Sequence, residues 1–122
     1  MNVAVLGASN KPERYSNQAV KQLAGNGHAV FPVHPALESI EGFQAFKQLE
    51  DIPEPIHTLT MYVGPERSSA LADAILGLRP QRVIFNPGSE NPELAGQLQA
   101  EGIDVLQACT LVLLRTGQFV PG

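Results

Sequence analysis

The chain has 122 residues, 43% hydrophobic and 16% charged, with a net charge of −4. This is a globular composition, expected to form one domain over residues 1–122, and its acidity argues against a general nucleic-acid binder. The single cysteine, Cys109, cannot make an internal disulfide, no apolar run approaches the ~20 residues of a membrane span, and no basic flank precedes the first apolar run; a cytoplasmic protein without a membrane partner is expected.

The first apolar run, Val3-Ala4-Val5-Leu6, predicts a strand over residues 2–6, ending in Gly7-Ala8-Ser9. A polar loop, residues 10–15, leads to a helix over 16–26, with Ser16 as a good N-cap and Gly27 where a C-terminal cap belongs. A second strand follows over 28–33. Residues 36–55 carry weaker periodicity and read as an irregular crossover with one small strand at 43–46. Regularity returns with a strand at 58–63, a helix at 66–76 with Pro65 in its first turn, a strand at 82–85, a helix at 92–101 and a strand at 103–106. An apolar segment, residues 109–114, closes the pattern. Strands alternating with helices predict an α/β fold, a doubly wound, Rossmann-like parallel sheet of about five strands, and right-handed crossovers favour the order 3-2-1-4-5.

In such a sheet ligands bind beyond the carboxyl ends of the strands, where strand order reverses. The loops to inspect are therefore residues 7–16, 33–35, 62–66 and 86–91. The turn at Gly7 leaves backbone N–H groups at a helix N-terminus, where an anionic phosphate can accept them and meet the positive end of the helix dipole. Gly7 lets the backbone turn and approach such a group, Ser9 and Ser16 offer hydroxyls, and Lys11 and Arg14 offer charge. The same small-residue turn also serves any strand-to-helix connection, ligand or not. A dinucleotide is disfavoured: the fingerprint needs three glycines and an acid after the second strand, whereas Gly7 is followed by Ala8 and Ser9 and that strand ends Val33-His34-Pro35.

No catalytic group stands out. His28, His57 and His34 are far apart in sequence, and no metal site is expected. Cys109 begins an apolar segment, which predicts a buried structural thiol rather than a nucleophile. Ser89 lacks a nucleophile-elbow frame, and Glu66 and Glu90 read as acids at helix N-termini.

Several segments, taken in order, resemble the small stand-alone CoA-binding domain proteins, which are similar in turn to the CoA-binding domain of the succinyl-CoA synthetase alpha subunit. They are Val5-Leu6-Gly7-Ala8-Ser9-Asn10-Lys11-Pro12, Ser16 at the helix start, Val30-Phe31-Pro32-Val33-His34-Pro35, Leu49-Glu50-Asp51-Ile52-Pro53-Glu54-Pro55, and Gln107-Ala108-Cys109-Thr110. The resemblance implies coenzyme A as cofactor, its diphosphate over the first turn and its adenosine near the tips of the second and third strands. Carried over by position, Gly7, Ala8, Ser9, Lys11, Arg14 and Ser16 would face the phosphates, and Val33, His34, Pro35, Tyr62 and Val63 would line the nucleotide groove. His34 departs from the Asn more usual there, and residues 86–91 replace a more apolar, glycine-containing loop.

The expectation is thus a binding module for coenzyme A or an acyl-CoA with no evident catalysis of its own. The alternative is a small NAD(P)-binding oxidoreductase or acyl-transfer factor, which needs a catalytic group in residues 86–91 or at Cys109. A third reading keeps the fold with a vestigial groove and function through a homo-oligomer or protein partner, neither of which the sequence specifies.

Overall fold

A computed structural model describes residues 1–121. Its elements are β1 (Asn2–Leu6), α1 (Tyr15–Gly25), β2 (Ala29–Val33), β3 (Ser39–Ile40), β4 (Phe43–Gln44), a 3-10 turn (Leu49–Asp51), β5 (Thr58–Met61), α2 (Pro65–Ala70), α3 (Ala72–Leu78), β6 (Arg82–Phe85), α4 (Pro92–Ala100), β7 (Asp104–Gln107) and α5 (Thr110–Arg115). Strands β2-β1-β5-β6-β7 form one five-stranded parallel sheet, and β3 and β4 a small hairpin.

Both faces of the sheet are covered, as parallel strands require. Alternation along β1 divides the core: Val3 and Val5 pack with Val20 and Leu23 of α1 and Leu114 of α5, while Ala4 and Leu6 pack with Ile75 of α3 and Leu94 and Leu98 of α4. The final apolar segment, unassigned by its short periodicity, is the helix α5, with Cys109 at its N-cap.

The fold class is the expected one, but the strand order differs. The third long strand, β5, lies beside β1 and not outside β2. Outside β2 the backbone pairing among the described residues is a single bridge at Phe46, whose N–H donates to the Pro32 carbonyl at 2.9 Å and whose carbonyl accepts the His34 N–H at 2.9 Å. Pro32 accounts for that brevity: its nitrogen lies on the same edge as its carbonyl and carries no hydrogen to donate, so a full ladder cannot form there. The chain returns across β1, and strand order reverses between β1 and β5.

Two helices also differ from expectation. The first begins one residue earlier, with Arg14 at the N-cap and no capping side chain, so Ser16 lies within the first turn and is not the cap. The helix expected over 66–76 is two helices that meet at Leu71, directly after Ser68-Ser69-Ala70, and the hydroxyls of both serines are engaged by Asn91.

Candidate functional site

The reversal between β1 and β5 places the ends of both strands side by side, and Gly7 stands at the join. Its φ is +86°, and a Cβ there would lie 2.9 Å from the Tyr62 carbonyl oxygen and 2.9 Å from Val63 Cγ1. Only glycine fits this backbone at this distance. The Gly7 and Ala8 N–H groups donate to the Val33 carbonyl at 3.3 and 3.2 Å, which ties the turn to the end of β2.

Beyond that tie the loop is organised to leave donors free. Ser9 Oγ accepts the Lys11 N–H at 3.0 Å, and the Arg14 N–H donates to the Lys11 carbonyl. Asn17, fully buried in the first turn of α1, donates through Nδ2 to the Ser9 carbonyl and to Glu41 Oε2, each at 2.9 Å. Glu41 is at the tip of the β3-β4 hairpin with φ +52°, a conformation uncommon for a residue with a side chain. The hairpin thus holds the loop through one asparagine. Among the described residues, the N–H groups of Tyr15, Ser16 and Asn17 find no protein acceptor, as the first turn of a helix dictates.

The loop and the start of α1 border a cavity of about 520 Å3, open at one side and lined by Gly7, Ala8, Ser9, Lys11, Arg14, Ser16, His34, Pro35 and Tyr62, all named from the sequence. Asn10, Tyr15 and Arg67 line it too, and sequence reasoning missed them. Arg67 brings a third basic side chain from α2, a contribution visible only once β5 is beside β1. Val33 and Val63, also named from the sequence, are buried in the core; Val33 takes part through its carbonyl, and Val63 through its contact with the Gly7 position. His34 Nδ1 accepts the N–H groups of Ala36 at 3.0 Å and Leu37 at 3.1 Å, which fixes the ring at the end of β2.

A second wall rises from β5 and β6. Asn86, buried at the end of β6, donates to Thr60 Oγ1 at 2.7 Å and the Met61 carbonyl at 2.9 Å, and its Oδ1 accepts the Thr110 N–H at 2.8 Å. The Thr60 and Thr110 hydroxyls are bonded to each other at 2.8 Å. Beside them the Tyr62 hydroxyl is buried without a hydrogen-bond partner among the described residues, and burial pushes its phenol up to about 12. Cys109, expected to be buried, is only half-buried and lines a further chamber beside Tyr62. Loop 86–91 is held by its own polar side chains. Glu90 Oε1 accepts the Gly88 N–H and so closes a turn before α4, whose N-cap is Asn91. No group of three or more His, Cys, Asp or Glu side chains among the described residues could hold a metal ion, and no helix among them is long and apolar enough to cross a membrane.

The geometry is therefore a positively lined cavity over a glycine turn at the switch point of a parallel sheet. The chain is also similar to known proteins. The chain is 26% identical to the YneT protein of Bacillus subtilis (strain 168) over 104 residues, 85% of this chain and 77% of that protein. It is 33% identical over 66 residues to the alpha subunit of an ADP-forming acetate–CoA ligase II from Pyrococcus furiosus, which is 53% of this chain and only 14% of the subunit. A solved Thermus thermophilus structure, cell-free ID.343, superposes with a TM-score of 0.88 at 30% identity, covering 97% of this chain and 90% of that one. Residues 1–115 match the family model of the CoA binding domain, and the chain belongs to that family.

Proposed function

We propose that the protein binds coenzyme A or an acyl-CoA, with the diphosphate over residues 7–16 and the adenosine end toward His34 and Pro35, and that it has no reaction of its own. Family membership supports the ligand, and one observation supports the place. Gly7, with no room for a Cβ, brings the sheet edge against a cavity lined by Tyr15 and Ser16, the first residues of α1, whose N–H groups have no protein acceptor, together with Lys11, Arg14 and Arg67. His34 stands where a dinucleotide site has its ribose-binding acid, which disfavours NAD and NADP.

Calorimetry with coenzyme A, NAD and NADP at one salt concentration tests the reading. Coenzyme A is expected to bind more tightly than either dinucleotide and, at ~100 times its dissociation constant, to add roughly 2.7 kcal/mol to folding stability. Tighter NAD binding, or no stabilisation by coenzyme A, overturns it.

A further inference from the structure

Beside the phosphate cavity a chamber of about 700 Å3 opens between α1 and α5, and the two share Tyr15 and Tyr62. Its size is that of a small-molecule pocket, roughly 300–1,000 Å3. One side is hydrocarbon, from Leu111, Val112 and Leu114 of α5; the other is a polar rim from α1, including Gln18 and Gln22. Val112 is 40% exposed and Tyr15 71% exposed, so large apolar side chains face water where the chamber opens. At the inner end both ends of the Asn86 amide are already bonded within the protein, and the Tyr62 hydroxyl is the one buried polar atom of the lining left without a partner among the described residues. Beyond that single hydroxyl, a ligand segment carrying several amides or a charge would lose its water there and gain few partners, whereas a hydrocarbon segment has no hydrogen bonds to lose.

Resting on the reading that the adjoining cavity takes coenzyme A, we propose that this chamber takes the alkyl chain of an acyl-CoA. The protein then selects a medium-chain, apolar thioester over free coenzyme A. The two cavities adjoin at Tyr15 and Tyr62, which line both, and the covering of Val112 and Tyr15 supplies the gain.

Calorimetry with coenzyme A, acetyl-CoA and octanoyl-CoA is run on the wild type, Val112→Asn and Gln22→Leu. Both positions lie on exposed helix surface, and circular dichroism confirms the fold of each variant. Octanoyl-CoA is expected to bind at least roughly tenfold more tightly than the other two, since burial of about two methylene groups suffices for that factor, and with a more negative heat-capacity change. Val112→Asn should bring the octanoyl-to-free ratio toward one, and Gln22→Leu should raise it. Equal affinity for all three ligands overturns the chamber while leaving coenzyme A binding in place. An octanoyl preference that neither substitution moves places the chain elsewhere and overturns it as well. Absence of binding by any of the three overturns both readings.

Discussion

At Gly7 the difference between a hydrogen and a methyl group decides two properties together. Gly7→Ala places a Cβ against the Tyr62 backbone and keeps a left-handed φ, so the variant should lose roughly 1–3 kcal/mol of stability, read by urea unfolding, and should no longer bind coenzyme A. Lys11 and Arg14 behave differently because both are exposed. Their attraction for a phosphate is screened, so coenzyme A affinity should fall as salt rises, and Lys11→Ala with Arg14→Ala should flatten that dependence. Calorimetry at two ionic strengths reads the slope. Gly7, Ser9, Lys11 and Arg14 are legible in the sequence because a turn is local chemistry. Asn17 is not, since its partners are the Ser9 carbonyl and a hairpin tip that only the tertiary fold brings near. A trace of it exists in the sequence: Asn17, Val20 and Ala24 share one stripe of α1, and a polar residue on an apolar stripe signals a buried hydrogen bond.

Among the elements, Asn86 is the clamp. It joins the ends of β5 and β6 to the start of α5 by three hydrogen bonds at 2.7, 2.9 and 2.8 Å. Asn86→Ala removes all three and leaves the Thr110 N–H buried without an acceptor, so a loss of about 2–4 kcal/mol is expected, seen as a lower denaturant midpoint at unchanged slope. The strands themselves are legible as apolar runs. The order is not, because it depends on where the irregular stretch between β2 and β5 lies, and a proline's effect on one strand edge outweighs the general preference for sequential neighbours. The helix α5 is missed for a plainer reason: a six-residue, mostly apolar segment cannot be assigned by period alone, and what makes it helical is packing against α1.

For the molecule as a whole, the end of the sheet opposite the cavity holds two histidines beside the N-terminal ammonium and Arg82. His28 Nδ1 accepts from the N-terminal ammonium at 3.0 Å while its ring meets Phe119 edge-on, and His57 Nδ1 is 2.8 Å from Thr58 Oγ1. Burial first holds both histidines below their ordinary range, followed by the N-terminal charge and then Arg82 for His28, and by Arg82 and then the N-terminal charge for His57. The unfolded chain therefore binds more protons than the folded one just below pH 6.5, so stability should rise with pH through that window and fall on acidification. Thermal unfolding at pH 7.5 and 5.5 checks the sign, and His28→Gln should shrink the difference. The sheet's two outer edges are unequal as well. At β2 the outward-facing Pro32 offers no donor and Phe46 occupies its carbonyl, whereas β7 ends the sheet with no strand beyond it and an exposed Asp104. A parallel sheet is at risk of growing by addition at either rim, chain onto chain, into an insoluble ribbon. Here one rim is sealed by an imino acid and the other carries charge, so the proline that limits pairing outside β2 also acts as a safeguard against aggregation.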